Sequence, residues 1–298
     1  MPVEDGEAVP RIDSHWPSRP TLARRRPTAA SFHTYLLDAD DDLADEFDIR
    51  MRVAARQLTT VRVLEAEIGE CDLEPAFDAI APGPGLLILD GLVAFETCVA
   101  DRTATELVGA GDLIQPTARS ADALLRPAGV WRVLWLTRLA LLDAEFADRI
   151  RPWPQVVQAL LRRAGKRIAD VDAMRAITSH PRLEVRLVLV LWHLAARWGR
   201  VEPGGIRLTL PLTHRLLGQL VAAERPSISH ALGRLSHAGL ISGSAGDWHL
   251  HGTLDTHLQT LLERQPERTG EQARRIADRR DGLAPSRGAE RSTRRRIG

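Results

Sequence analysis

The stretch that decides the fold runs from residue 212 to residue 241: Leu212-Thr-His-Arg-Leu-Leu-Gly-Gln-Leu-Val221, Ala222-Ala-Glu224, Arg225-Pro-Ser-Ile-Ser-His-Ala-Leu-Gly-Arg-Leu-Ser-His-Ala238, Gly239-Leu-Ile241. Thr213 is a good N-cap, and Leu217, Leu220 and Val221 then recur at helical spacing, which predicts a helix from His214 to about Val221. The turn Ala222-Ala-Glu224 leads to a second helix, Arg225 to about Ala238, with Ile228, Ala231, Leu232 and Leu235 on its inner side. Gly218 is small enough to let two helices cross closely at a wide angle, the layout of a helix-turn-helix. Ser242-Gly-Ser-Ala-Gly246 and Asp247-Trp-His-Leu-His-Gly252 follow, predicting two short strands around a glycine-rich tip: a wing.

Working upstream, Arg182 to Trp198 is apolar on most sides and predicts a buried helix, stopped by Gly199 and Pro203-Gly-Gly205. Its most apolar run, Leu187 to Ala196, is ten residues long and lies between Arg186 and Arg197, too short to span a bilayer. Before it, Val157, Leu161, Ala164, Ile168 and Val171 follow one another by steps of 4, 3, 4 and 3, a heptad seam that starts after Arg151-Pro-Trp-Pro154 and ends at Ser179-His-Pro181. Such a seam serves either a second copy of the chain or a face of its own domain, and both readings stay open.

Residues 60 to 145 have a β texture. Thr60 to Ile68 reads as one strand, and Leu86 to Phe95 as two strands around a tight turn at Asp90-Gly91. A further turn is expected at Gly109-Ala-Gly-Asp112, and strands at Trp131–Leu136 and Arg138–Leu142. About seven short strands point to an antiparallel roll, barrel or sandwich. Ahead of them, Leu43, Phe47, Met51 and Ala55 predict an amphipathic helix over 42–57, with the acidic residues between Asp38 and Asp48 read as a solvated face or a docking surface. The proline-rich residues 1–33, with Arg24-Arg-Arg26, read as a mobile arm, and 263–298 as a basic disordered tail.

The 298 residues carry 40 Lys+Arg against 39 Asp+Glu, which excludes a protein basic throughout and a strongly acidic one. Lys166 is the only lysine, as in chains from GC-rich genomes. Within 206–262 four arginines face three acids, a net of +1 with six histidines, whereas 263–298 hold eleven arginines against six acids, a net of +5. The tail therefore holds the surplus positive charge, either as an arm that adds non-specific attraction to a polyanion such as DNA or as a solvated disordered tail. Two distant cysteines, Cys71 and Cys98, match no metal or redox spacing. The acidic start of the chain is unlike a signal peptide, so a soluble cytoplasmic protein is expected.

Leu212-Thr, Leu217-Gly-Gln-Leu-Val221, Arg225-x-Ser-Ile-Ser-x-Ala-Leu-x-Arg-Leu235 and Ala238-Gly-Leu-Ile241 together resemble the C-terminal winged helix-turn-helix of the Crp/Fnr family of bacterial transcription regulators. Gly85-Leu-Leu-Ile-Leu-Asp-Gly-Leu92 and Glu106-Leu-Val-Gly-Ala-Gly-Asp-Leu-Ile114 look like the strand and turn pattern of that family's cyclic-nucleotide-binding-like roll. The resemblance covers about residues 36 to 260. It implies an α+β chain: an arm (1–33), an antiparallel β-roll sensory domain (34–150), a dimerisation helix and hinge (151–180), a winged helix-turn-helix (181–262) and a tail (263–298).

The same resemblance implies partners: double-stranded DNA with a two-fold symmetric operator, a second copy of the chain paired along Val157, Leu161, Ala164, Ile168 and Val171, RNA polymerase, and a small-molecule effector of unknown identity. No membrane partner is expected. Carried over residue by residue, the second helix would be the recognition helix, with Arg225 at a guanine edge, Thr213 and Ser227 at phosphates, and Ser229, His230 and Arg234 beside them. Two positions depart from the cyclic-AMP receptor pattern: Pro226 stands where a base-reading glutamate would be, and His230 where an arginine would be. Ala222 replaces the usual turn glycine, at a cost of about 1 kcal/mol if it needs a positive φ.

A cyclic-nucleotide site of the family's type needs a glycine-glutamate step and an arginine followed by a hydroxyl residue. Here Gln115-Pro116 and Arg126-Pro127 stand in those places, and Arg119-Ser120 comes too early, so cyclic AMP is not expected to bind. No cofactor motif is recognised; two cysteines cannot hold an iron–sulfur cluster. His249 and His251 share a strand face, as a metal pair or as solvent- or DNA-facing side chains. There is no phosphate loop, His-Glu-x-x-His or nucleophile elbow, so an enzyme is not expected. The competing reading is an adaptor that keeps the fold and binds a partner without reading DNA.

Overall fold

The computed structural model describes residues 28–100, 102–115, 128–244 and 246–263. In chain order the elements are β1 (Thr28–Tyr35), α1 (Leu36–Ala39), α2 (Asp41–Ala44), α3 (Ile49–Arg56), β2 (Thr60–Ala66), β3 (Gly69–Cys71), α4 (Glu74–Ile80), β4 (Gly85–Val99), β5 (Arg102–Gly109), β6 (Leu113–Ile114) and β7 (Ala128–Leu142). They continue with α5 (Ala144–Arg149), α6 (Pro154–Ser179), α7 (Leu183–Trp198), β8 (Gly199–Glu202), β9 (Gly205–Leu208), α8 (His214–Leu220), α9 (Arg225–His237), β10 (Ile241–Ser244), β11 (Asp247–His251) and α10 (Leu254–Glu263). The chain divides into two compact units, Met1–Ser179 with Pro211–Pro226, and His180–Leu210 with Ser227–Gly298.

In the first unit an antiparallel sheet of order β1-β2-β7-β4-β5, with β3 on β7 and β6 on β4, forms the expected roll. Strand alternation separates two cores. Leu86, Ile88, Leu139 and Leu141 point to one cluster with Phe77, Val93, Val108 and Trp131. Leu87, Ala140 and Leu142 point to the other, where Leu36, Leu43, Phe146, Val156 and Leu160 pack. A period of two thus buries both faces of the same strands.

Several expectations change here. Within the span expected to be an arm, Thr28–Tyr35 is a strand whose Tyr35 pairs with Thr60; residues 1–27 lie outside the described residues, as do 264–298 of the tail. The helix expected over 42–57 is broken, because the Asp48 side chain accepts from the backbone N–H groups of Arg50 and Met51 and starts α3 afresh. The apolar four-residue repeat nonetheless survives the break, with Leu43, Phe47 and Ala55 buried.

Asp90-Gly91 does not reverse the chain. β4 runs straight through it beside β7, from Gly85↔Leu142 to Cys98↔Ala128, with irregularities between Ile88 and Val93. Gly91 takes φ 106°, and a Cβ there would strike Thr137 and the Leu136 carbonyl. The positive φ that makes Asp-Gly a hairpin signal serves a bulge equally well. Its neighbour behaves alike: the two strands expected at 131–136 and 138–142 are one, β7, paired with β4 along its length.

The acidic N-terminal patch contributes ion pairs to α6. Asp40, itself the N-cap of α2, takes both Arg163 Nη atoms at 2.5 and 2.6 Å, with side chains only 7% and 12% exposed. Glu46 pairs with Arg162, and Glu106 takes a two-pronged contact from Arg167 at 2.7 and 2.9 Å. Planar guanidinium forks suit this bidentate geometry in a way a lysine would not.

Candidate nucleic-acid interface

The predicted helix-turn-helix elements all form. Thr213 has extended backbone (φ −68°, ψ 157°), and its Oγ1 accepts from Leu216 N–H at 3.2 Å, so it caps α8. Its hydroxyl keeps an O–H to donate outward. α8 buries Leu216, Leu217 and Leu220. In the turn, Ala222 takes φ 53° and Ala223 N–H donates to Gly218 O at 2.9 Å, so the alanine in the glycine position does carry the left-handed strain.

α9 opens with Arg225-Pro226, where proline is tolerated because first-turn N–H groups have no helical acceptor. Ile228, Ala231, Leu232 and Leu235 are buried on one side. Arg225, Pro226, Ser227, Ser229, His230, Gly233, Arg234, Ser236 and His237 are exposed on the other, and none of them is acidic. The structure thus brings five of the six candidate contacts onto one helix, with Thr213 as the cap of the other.

Arg234 also has an internal task. Its Nε donates to Glu184 Oε1 at 2.8 Å and ties α9 to α7. Burial works to raise the Glu184 carboxyl, but its backbone N–H and Arg234 outweigh this and hold it below the usual carboxylate range. A phosphate contact by Arg234 must therefore compete with that pair.

The wing forms as expected, in a sheet of order β10-β11-β9-β8. Arg207 grips Asp247 through Nε and Nη2, both at 2.8 Å, and its guanidinium holds the Asp247 carboxyl below its ordinary value. His249 and His251 lie edge to face with centroids 4.5 Å apart, and His251 Nε2 is 2.8 Å from Ser242 Oγ. Among the described residues no three metal-binding side chains cluster.

Sequence reasoning missed α10 and its His257. That side chain is fully buried; its Nδ1 accepts from Trp192 Nε1–H at 3.2 Å and its Nε2–H donates to His251 O at 2.5 Å. Burial pushes the imidazole below the usual histidine range, against the His251 carbonyl bond that supports its charged form. The available signal was Thr253 as N-cap, followed by Leu254, His257, Leu258 and Leu261 at helical spacing.

On α6, Val157, Leu161, Ile168 and Val171 are exposed, Leu161 and Ile168 to 66% and 65%, while Ala164 packs on the core. A shallow cleft of about 220 Å³ lies along the same stripe, walled by Leu113, Ala164, Ile168 and Val171 beside Arg167. Arg119, Ser120 and Arg126 lie outside the described residues. Arg132, on β7, is engaged by Glu96 and Glu70 at 2.9 and 2.8 Å. No helix among the described residues is long and apolar enough to cross a membrane.

Residues 185–251 match the Crp-like helix-turn-helix domain. A CRP-like cAMP-activated global transcriptional regulator of Mycobacterium tuberculosis is 32% identical over 98 residues, which is 32% of this chain and 44% of that relative. The chain therefore spans less than half the length of the curated relative it matches. Among solved structures, a cyclic nucleotide-binding domain containing protein from Listeria monocytogenes EGD-e has a TM-score of 0.53 at 16% identity, covering 63% of this chain and 88% of that one. A CooA variant from Carboxydothermus hydrogenoformans has a TM-score of 0.51 at 17% identity, covering 67% and 87%.

Proposed function

We propose that this chain, of Crp/Fnr type by its helix-turn-helix domain and its fold, is a sequence-specific DNA-binding regulator of transcription that acts in the cytoplasm as a homodimer. The observation that carries the reading is α9: a helix with one buried apolar side and one exposed side without a carboxylate, headed by Arg225. Placed in a major groove, the Arg225 fork matches two acceptors on a guanine edge, and Ser227, Ser229 and His230 lie along the same helix. A second copy covers the exposed α6 stripe, and two-fold symmetry of the dimer then requires two half-sites.

Selection from a random DNA pool tests this. The expected result is a two-fold symmetric site, with Arg225→Ala losing roughly 5- to 150-fold in affinity for it, the worth of one bidentate base contact. Recovery of no preferred sequence would favour the adaptor, and turnover of a small molecule the enzyme. The adaptor reading draws on one finding, that Arg207 and Arg234 are engaged by carboxylates, so the reading head has little positive charge to spare.

Control by cyclic AMP is not part of the proposal, because Gln115-Pro116 and Arg126-Pro127 replace the gripping residues. Calorimetry should detect no cyclic AMP binding in the micromolar range; binding at that level overturns this point. RNA polymerase and a small-molecule effector are the partners to test once an operator is known. If the arginine-rich tail raises non-specific affinity, deleting 263–298 flattens the salt dependence of binding.

A further inference from the structure

Gly233 lies inside α9, one turn before its last residue, His237. Its backbone is helical rather than left-handed, it is exposed, and a Cβ added there would meet nothing within 4 Å. Compare Gly205, where a Cβ would fall on the Leu250 carbonyl and the sheet itself demands glycine. At Gly233 the chain's own fold makes no such demand. Glycine is nevertheless the poorest helix former after proline, so the position carries a cost that nothing among the described residues repays.

Its place on the helix suggests what repays it. Gly233 follows Pro226 by seven residues and His230 by three, so all three lie on one exposed face. Gly165 of α6 has the same character. It is exposed, with nothing within 4 Å of a Cβ, and lies between Leu161 and Ile168 on the stripe assigned to a second copy. Both glycines thus sit on faces that no described residue covers.

We infer that Gly233 is the point of closest approach between α9 and DNA, a specificity-determining position at which a bare backbone touches the floor or wall of the major groove. The inference rests on the DNA-binding reading above. The groove is about 12 Å wide, close to the diameter of a helix with its side chains, so the absence of one Cβ decides how deeply the helix can sit. Mid-helix N–H and C=O groups are spent on each other, which leaves Gly233 only its Cα hydrogens to offer. The matching DNA chemistry is an apolar C–H surface, either a thymine methyl group or a deoxyribose ring.

The test uses the full chain and sites selected by the wild-type protein. Gly233→Ala should raise the unfolding temperature and yet weaken binding to the selected site by about tenfold, the loss typical of one disrupted base-pair contact, with little change on unrelated duplex. Gly233→Arg should tighten binding to unrelated duplex through its added charge but still weaken binding to the selected site. Replacing thymines of the site one at a time by uracil separates the two sources: one sensitive position identifies a methyl group, none identifies the sugar. If either Gly233 variant, folded and dimeric, binds the selected site as tightly as wild type, the inference is overturned. A wild-type protein that selects no site overturns the DNA-binding reading instead.

Discussion

Helices α6 and α9 each bury one side and leave the other to solvent, but the exposed sides differ in kind. On α6 the exposed residues include Val157, Leu161, Ile168 and Val171; on α9 they are Arg225, Arg234, Pro226, serines, histidines and Gly233. An apolar stripe gains free energy only when another apolar surface covers it, which suits an identical helix. A polar, carboxylate-free face gains little that way and suits a partner carrying acceptors and negative charge. The two inner sides differ as well. α6 is held to its unit by the nearly dry Arg163–Asp40 pair, whereas α9 is tied to α7 by an Arg234–Glu184 pair whose arginine is largely exposed.

That contrast in burial sets the largest expected effect. Asp40→Asn should destabilise the first unit by roughly 3–5 kcal/mol, because it strands a buried guanidinium. Glu184→Gln should cost about 1 kcal/mol or less, since water screens Arg234. Urea unfolding of the two variants checks the difference, and equal losses would mean that burial does not distinguish the pairs.

Next in size is the α6 face. Leu161→Ala together with Ile168→Ala should weaken dimerisation by about a hundredfold or more in analytical ultracentrifugation, the order expected for truncating buried aliphatic side chains. Both residues are exposed in a single chain, so the stability of the monomer should hardly change. A dimer of undiminished affinity would place the second copy elsewhere.

A smaller effect is expected at the turn before α9. Ala222→Gly relieves the φ of 53° and should stabilise the helix-turn-helix by about 1 kcal/mol, read as a higher unfolding temperature.

The last prediction concerns pH. His257 is held neutral by burial, with its folded-state pKa below the ordinary value. As pH falls, the unfolded chain takes up that proton first, so this contribution to stability is complete above about pH 6.5 and is lost as pH falls through the histidine range. Unfolding midpoints at pH 7.5 and 5.5 should separate, and His257→Gln should narrow the gap. An unchanged gap would remove His257 from the account.

How much of this was legible beforehand differs between the two halves of the molecule. The caps, periods and stops around α7, α8 and α9 are local signals, and they placed the elements to within a residue or two. In the roll, Asp90-Gly91 marked a positive φ correctly and its consequence wrongly, because turn or bulge is settled by the strand alongside. The acidic patch was legible as charge, but the arginines of α6 that meet Glu46 and Asp40 lie more than a hundred residues away. His257 was invisible as a clamp for the same reason: Trp192 is 65 residues distant.

What the chain determined by itself is where helices begin and end, which side of each is apolar, and that a helix-turn-helix follows a β-roll. These follow from dihedral preferences and from periods of 3.6 and 2, which act within a few residues. Only the tertiary structure decided that β4 and β7 run unbroken, that the acidic residues hold α6, and that Arg234 is shared with Glu184. The physical reason is that pairing and burial join residues distant in sequence, and only the folded chain chooses which of several compatible partners each residue meets.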